Sequence, residues 1–188
     1  TSTTLVTSGA CCQTGVRTLT PMSARAPAML TDEVERRRQF VSAQLDPERR
    51  VALGQFFTPD PVARFLASMF EFEDRPSSML DPGAGVGSLT AAFVDRWSAE
   101  CESPLSAVAS EVDSSLHNAL TETLRECGTH LGDGACQLKP GSFIEWGTQA
   151  LSTLNAGASP SFDYIVMNPP YRKLASGSHD RQLLRAAG

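Results

Sequence analysis

The spacing of apolar residues changes period several times along this chain, and each change marks an expected element. Val34, Val41 and Leu45 recur at helical spacing behind Thr31, a suitable N-cap with Asp32 and Glu33 in the first turn, and Asp46-Pro47 closes the helix. Residues 53–59 (Leu-Gly-Gln-Phe-Phe-Thr-Pro) read as a loop with two adjacent aromatics. Asp60 then caps a second helix, with Pro61 at its first position and Val62, Phe65, Leu66, Met69 and Phe70 on its expected buried face. Residues 78–80 are a short strand that runs into a glycine-rich turn, and the next helix carries Leu89, Phe93 and Trp97. Residues 105–110 (LSAVAS) form a second strand, followed by a helix with Leu116, Leu120 and Leu124. A weak third strand is expected at 135–138, and residues 155–161 (NAGASPS) read as a flexible connection.

The fourth strand, 162–167, is aromatic and β-branched apart from Asp163, and is expected to be buried. It stops at Asn168-Pro169-Pro170-Tyr171, where two prolines fix φ and remove two amide donors. What remains is a rigid loop at a strand's C-terminal edge, where open α/β sheets bind ligands. It offers an amide side chain, carbonyls and an aromatic face. Asn168 and the Pro169 carbonyl could each accept one N–H of an exocyclic aromatic amine, and Tyr171 could stack on the ring.

The other edges of the expected sheet add to this. Asp81-Pro82-Gly83-Ala84-Gly85-Val86-Gly87 follows the first strand, and its glycines permit a tight turn and close backbone approach to a ligand. The following helix N-terminus suits a carboxylate, a phosphate or a polar nucleoside. The G-x-G-x-G spacing departs from both the dinucleotide fingerprint and the P-loop. Glu111 ends the second strand, where an acid can accept the hydroxyls of a ribose, while Asp113 or Ser114 caps the next helix. Ser142 and Phe143 stand at the third strand's C-terminal edge.

Composition narrows the setting. The 188 residues suit one domain or part of a larger one, and the net charge of −5 gives a nucleic-acid partner no electrostatic support. The Arg36-Arg37-Arg38 run is flanked by acids and reads as a solvated helix face. Five cysteines without a Cys-x-x-Cys pair, and three scattered histidines, argue against a metal site and suit a reducing cytosol. No apolar run approaches membrane-spanning length.

Together, Asp-Pro-Gly-Ala-Gly-Val-Gly after one strand, Glu111 after the next, Ser-Phe after the third and Asn-Pro-Pro-Tyr after the fourth resemble the N6-adenine DNA methyltransferases of bacterial restriction–modification systems. The Phe-Phe-Thr-Pro segment ahead of the glycine loop resembles their γ-type order and, more narrowly, the Eco57I-like fused methylases. The likeness runs from about residue 31 to residue 174. It implies a Rossmann-like class I methyltransferase fold, truncated after the fourth strand, that binds S-adenosyl-L-methionine. It also implies that Phe57 and Thr58 line the methionine end, that Asp81, Gly83, Ala84, Gly85 and Gly87 form the cofactor loop, and that Glu111 holds the ribose. Ser142, where the family often has Asp, would accept from the cofactor's adenine amine, and Phe143 would contact its ring. Asn168, Pro169, Pro170 and Tyr171 would hold a flipped adenine of double-stranded DNA.

The organisation expected on this basis has four parts. Residues 1–21 are disordered or non-native, 22–50 a helical segment, 51–174 a partial catalytic domain and 175–188 a ragged end. DNA contact falls to a missing C-terminal region, whose complementary half could pair with this one, in a prokaryotic cytoplasm. Protein-glutamine or RNA-base N-methylation and a non-catalytic remnant stay open as alternatives, and a nicotinamide oxidoreductase stands third. The Gly-Gln-Phe-Phe-Thr-Pro segment favours DNA adenine.

Overall fold

The computed structural model describes residues 29–48, 51, 54–132, 134–152, 161–171, 173–175 and 177–187. The expectations for residues 1–21, and for most of the 155–161 connection, lie outside them. Among the described residues four strands build the sheet: β1 (Ser77–Pro82), β2 (Leu105–Glu111), β3 (Cys136–Pro140) and β4 (Tyr164–Ile165). All pair in parallel, in the order β3-β2-β1-β4. The expected Rossmann-like α/β arrangement is met, because this is one half of a doubly wound sheet with its strand order reversing between β1 and β4. Ligands of such sheets bind outside the carboxyl ends of the strands at that reversal.

The α-helices with bounds among the described residues are α1 (Leu30–Gln44), α2 (Asp60–Ser68), α3 (Ser88–Glu100), α4 (His117–Leu131), α5 (Phe143–Ser152) and α6 (His179–Ala187). Helix α3 is the buried one. Leu89, Phe93, Val94 and Trp97 are all at most 5 % exposed, and α1, α2 and α4 pack around it. The Phe93 and Trp97 rings meet Phe72 and also Tyr164 of β4, so the fourth strand is pinned to the core by its tyrosine. Asp163 adds a second pin, accepting from the Ser78 N–H at 2.8 Å and its hydroxyl at 2.9 Å. Among the described residues no helix is long and apolar enough to cross a membrane.

Several local expectations are corrected. Helix α1 begins one residue before Thr31, which lies inside it and is buried; Met29 takes the N-cap position without a side-chain bond. Pro59, and not Asp60, precedes α2, and Asp60 instead pairs with Arg64 at 2.9 Å. The buried face of α2 consists of Ala63 and Ala67, whereas Val62, Phe65 and Met69 are exposed. Small residues let α2 approach α3 closely, while Leu66 and Phe70 pack half-buried against the core as expected, Phe70 with its ring on Phe93, and the other three large residues are turned outward. Of the arginine run, only Arg36 is solvated as expected. Arg37 reaches Glu126 at 2.7 Å and Thr123 at 2.9 Å on α4, and Arg38 holds Glu35. That grip, with Gln39 and the Asp60 N–H, lowers the Glu35 carboxyl to about 2. Finally, β3 starts one residue and ends two residues later than expected, and β4 pairs through two residues only, leaving Ile165 and Met167 exposed.

Candidate functional site

Three chain segments meet above the β1–β4 reversal. The turn after β1 brings Gly83 at φ 75°, Gly85 at 61° and Gly87 at 86°, values that L side chains rarely adopt. They differ in what surrounds them. A Cβ on Gly87 would stand 2.8 Å from Thr123 Cγ2, so this glycine lets α4 close against the loop. On Gly85 it would meet the Phe57 ring at 3.0 Å, whereas at Gly83 it would find open space. Close backbone approach at Gly87 and Gly85 therefore serves packing within the chain. Gly83 is the one open to a cleft.

That cleft is lined by residues 56–58, by 83–86 with Ser88 and Leu89, and by Asn168. Its open space is about 30 Å³, room for ordered water but not for a nucleoside. The Phe57 ring lying on Gly85 is the reason. A larger cavity, about 250 Å³, lies elsewhere, between α4 and β3 beside Leu124, Arg125 and Cys136.

Asn168 is held by the loop ahead of α2. Its Nδ2 donates to the Phe56 carbonyl at 3.2 Å and to Thr58 Oγ1 at 3.0 Å. Both amide hydrogens face residues 56–58, so the acceptor Oδ1 faces the other way. Thr58 is buried, which fixes this anchor. Pro169, Pro170 and Tyr171 are exposed, and the Tyr171 ring meets Phe56 edge-on with centroids 6.0 Å apart.

Glu111 lies at the end of β2, 5 % exposed. Its Oε2 accepts the Gly85 N–H at 2.8 Å and its Oε1 the Asp113 N–H at 2.8 Å, so it ties the glycine turn to the next loop. Each oxygen keeps a further lone pair. Asp113 caps the following turn by accepting from the Ser115 N–H, and its second oxygen accepts from Gln55 Nε2 at 2.9 Å. Asp81 sits beneath the loop with no exposure. Its Oδ2 accepts from the Thr90 N–H at 3.2 Å and hydroxyl at 2.7 Å, satisfying the first turn of α3. Burial raises its carboxyl to about 7, against the pull of Thr90 and with a smaller push from Glu111.

Ser142 and Phe143 do not line the cleft but stand next to it along the sheet. The Gly141 N–H donates to the Glu111 carbonyl at 2.9 Å. Ser142 follows, and Phe143 opens α5 with its ring on Trp146, centroids 5.3 Å apart.

The polar atoms without a partner point to a ligand. Among the described residues, the buried side-chain atoms with no hydrogen bond are Gln55 Oε1, Asp81 Oδ1, Ser88 Oγ and Ser110 Oγ. All four come from the carboxyl ends of β1 and β2 or the segments facing them. Buried polar groups are rarely left unmatched, so these four atoms leave hydrogen-bonding capacity at this edge. Gln55, Ser88 and Ser110 were invisible as candidates in the sequence. Only Gln55 carried a signal, its place beside the two loop aromatics.

Comparisons with known proteins agree with this geometry. The family model described as N-6 DNA Methylase matches residues 40–183. The Type II methyltransferase M.BsuBI of Bacillus subtilis is 35 % identical over 164 residues, covering 85 % of this chain and 32 % of that protein. The Type II methyltransferase M.PstI of Providencia stuartii is 29 % identical over 174 residues, covering 90 % and 34 %. The chain thus spans about a third of the length of these relatives. With the glycine turn, Glu111 and the Asn168 loop gathered at one sheet edge inside the matched region, the chain belongs to the N-6 DNA Methylase family.

Proposed function

We propose that this chain is the cofactor-binding and catalytic portion of an S-adenosyl-L-methionine-dependent DNA adenine-N6 methyltransferase of the restriction–modification kind. The observation that carries the reading is the anchoring of Asn168, which lines the cleft and whose nitrogen is bound to Phe56 and Thr58, leaving its oxygen as the acceptor. An exocyclic adenine amine is a weak nucleophile because its lone pair is delocalised. Asn168 Oδ1 and the Pro169 carbonyl accept its two hydrogens and draw the nitrogen toward tetrahedral geometry. Tyr171 and Phe56, both exposed, offer ring faces to the extracted base.

The residues present suit the cofactor. Glu111 has lone pairs left for ribose hydroxyls, and the unmatched oxygens of Gln55, Ser88 and Ser110 give further partners to a polar ligand. Gly83, Ala84 and Gly85 give it a backbone shelf, and Phe57 and Thr58 its opposite wall, once the Phe57 ring leaves Gly85. Asp81 and Gly87 support that shelf from below. When bound, S-adenosyl-L-methionine supplies a methyl already activated by its sulfonium. The chain's part is then alignment, desolvation of the amine and exclusion of water, which suits positioning more than strong base catalysis.

Double-stranded DNA is the proposed substrate, gripped by sequence beyond this matched third, in a prokaryotic cytoplasm. The exposed Ile165 and Met167 at β4 suit pairing with such a complementary C-terminal segment. Incubation with tritiated cofactor and unmethylated bacterial DNA, with the C-terminal segment of M.BsuBI supplied in trans, tests the reading. We expect label in DNA that depends on Asn168 and is absent from the chain alone. Label that persists in Asn168→Ala would remove Asn168 from catalysis.

A further inference from the structure

Ser142 does not face the sheet edge by itself. Its hydroxyl donates to Asp180 Oδ1 of α6 at 3.3 Å, across 38 residues of sequence. This is the packing of α6 against α5 seen at one atom pair. Both side chains are half-buried. Asp180 had no signal in the sequence, since it lies in the stretch beyond Asn168 that read only as a ragged end.

The order of groups along the sheet gives this pair a task. The glycine shelf follows β1, and Glu111, positioned for a ribose, follows β2. Next in line is the end of β3, and the Gly141 N–H bound to the Glu111 carbonyl makes Ser142 its immediate neighbour. A nucleoside with its ribose at Glu111 extends its base in that direction. With its hydrogen given to Asp180, the Ser142 oxygen offers lone pairs only, and the carboxylate beside it has no hydrogen to give. Two adjacent acceptors match a base edge that carries an amine and repel one that carries a carbonyl oxygen.

We propose that Asp180, acting with Ser142, reads the exocyclic amine of the cofactor's adenine. This rests on the cofactor reading above. The carboxylate that a Ser at position 142 cannot provide is delivered by a helix 38 residues later in the chain. A charge-assisted hydrogen bond from the amine is the stronger kind, so Asp180 sets the preference among purines while Glu111 sets overall affinity.

The test uses two probes, S-adenosylhomocysteine and its counterpart with unsubstituted purine in place of adenine, titrated calorimetrically into the 188-residue chain. The unaltered chain should bind the adenine compound at least about tenfold more tightly, the range for a hydrogen bond to a charged group. Asp180→Ala should bring the two affinities close together by weakening the adenine compound alone, and Asp180→Asn should lie between. Glu111→Ala should weaken both and keep their ratio. Circular dichroism of each variant checks that the fold is retained. An unchanged ratio in Asp180→Ala, or equal loss for both probes, overturns the proposal. Tight binding of both probes by the unaltered chain without preference also overturns it, and leaves the cofactor reading standing. Binding of neither overturns the cofactor reading, and this proposal with it.

Discussion

The glycine shelf and the Asn168 loop face one cleft, yet they are held in opposite ways. The shelf is bonded from inside: Asp81, Glu111, Val86 and Gly87 are all buried, with Thr90, Asp113 and Thr123 as partners. The Asn168 loop is held at its root by Val166, whose N–H meets the Leu80 carbonyl at 3.0 Å, and by the Asn168 amide. Beyond that root, Pro169, Pro170 and Tyr171 lie in the open. The proposed cofactor side is thus pre-organised by the core itself. The proposed target side is a rigid tip on a two-residue strand, whose rigidity comes from proline and not from packing.

This contrast predicts how damage is distributed. Phe93→Ala removes a ring with no exposure from the helix behind the shelf, and should cost about 3–5 kcal/mol in urea unfolding. Tyr171→Ala, at 72 % exposure, should change stability by less than about 0.5 kcal/mol. A large loss at Tyr171 would show that the tip is part of the core after all.

Glu111→Ala comes next in size. It strands the buried Gly85 and Asp113 N–H groups, and each lost bond to a charged acceptor is worth about 1.5–3 kcal/mol. We expect a loss of about 3 kcal/mol in unfolding, alongside lost cofactor affinity. Glu111→Gln should recover part of both, since its oxygen can still accept one N–H.

The glycines refine the comparison within the shelf. Gly87→Ala forces φ 86° on an L residue and drives a methyl into Thr123, so about 2–3 kcal/mol should be lost. Gly83→Ala meets only the backbone cost, about 1 kcal/mol. Equal losses in denaturant titrations of the two would mean that α4 yields to the methyl.

Much of this was legible in the sequence because it depends on local chemistry. The glycine turn, Glu111 after β2, Asp113 as a cap and Leu116, Leu120 and Leu124 as a buried row follow from backbone freedom and helical period. What was not legible depends on neighbours distant in sequence. Helix α2 alternates large and small residues, and nothing local says that Ala63 and Ala67 face in, because the decision belongs to the close approach of α3. Arg37 lost its solvated reading to Glu126, 89 residues on. Ser142 found its carboxylate 38 residues away, and Gln55 met Asp113 across 58. Only the folded sheet edge brings these pairs together.

The finest test of the comparison uses pH, because the two strands flanking the cleft carry carboxyls shifted in opposite directions. Asp81 of β1 is raised to about 7 by its burial, so the folded chain keeps a proton that the unfolded chain has released. Its contribution is fully present below the ordinary carboxyl value, about 4, and is lost as pH rises through about 7. Asp163, just ahead of β4, is lowered by the Ser78 N–H and Arg75, so its contribution is present above the ordinary value and fades as pH falls below it. The two therefore act in different windows. Between pH 4.5 and 7 the stability of the unaltered chain minus that of Asp81→Asn should fall with rising pH, by up to about 1.4 kcal/mol per unit. The same difference for Asp163→Asn should be flat there and shrink only in more acid solution. Urea titrations at half-unit steps would separate these outcomes. A flat Asp81 difference would mean that the shelf admits enough water to leave its carboxyl ionised, which would erase the contrast between the buried shelf and the exposed tip.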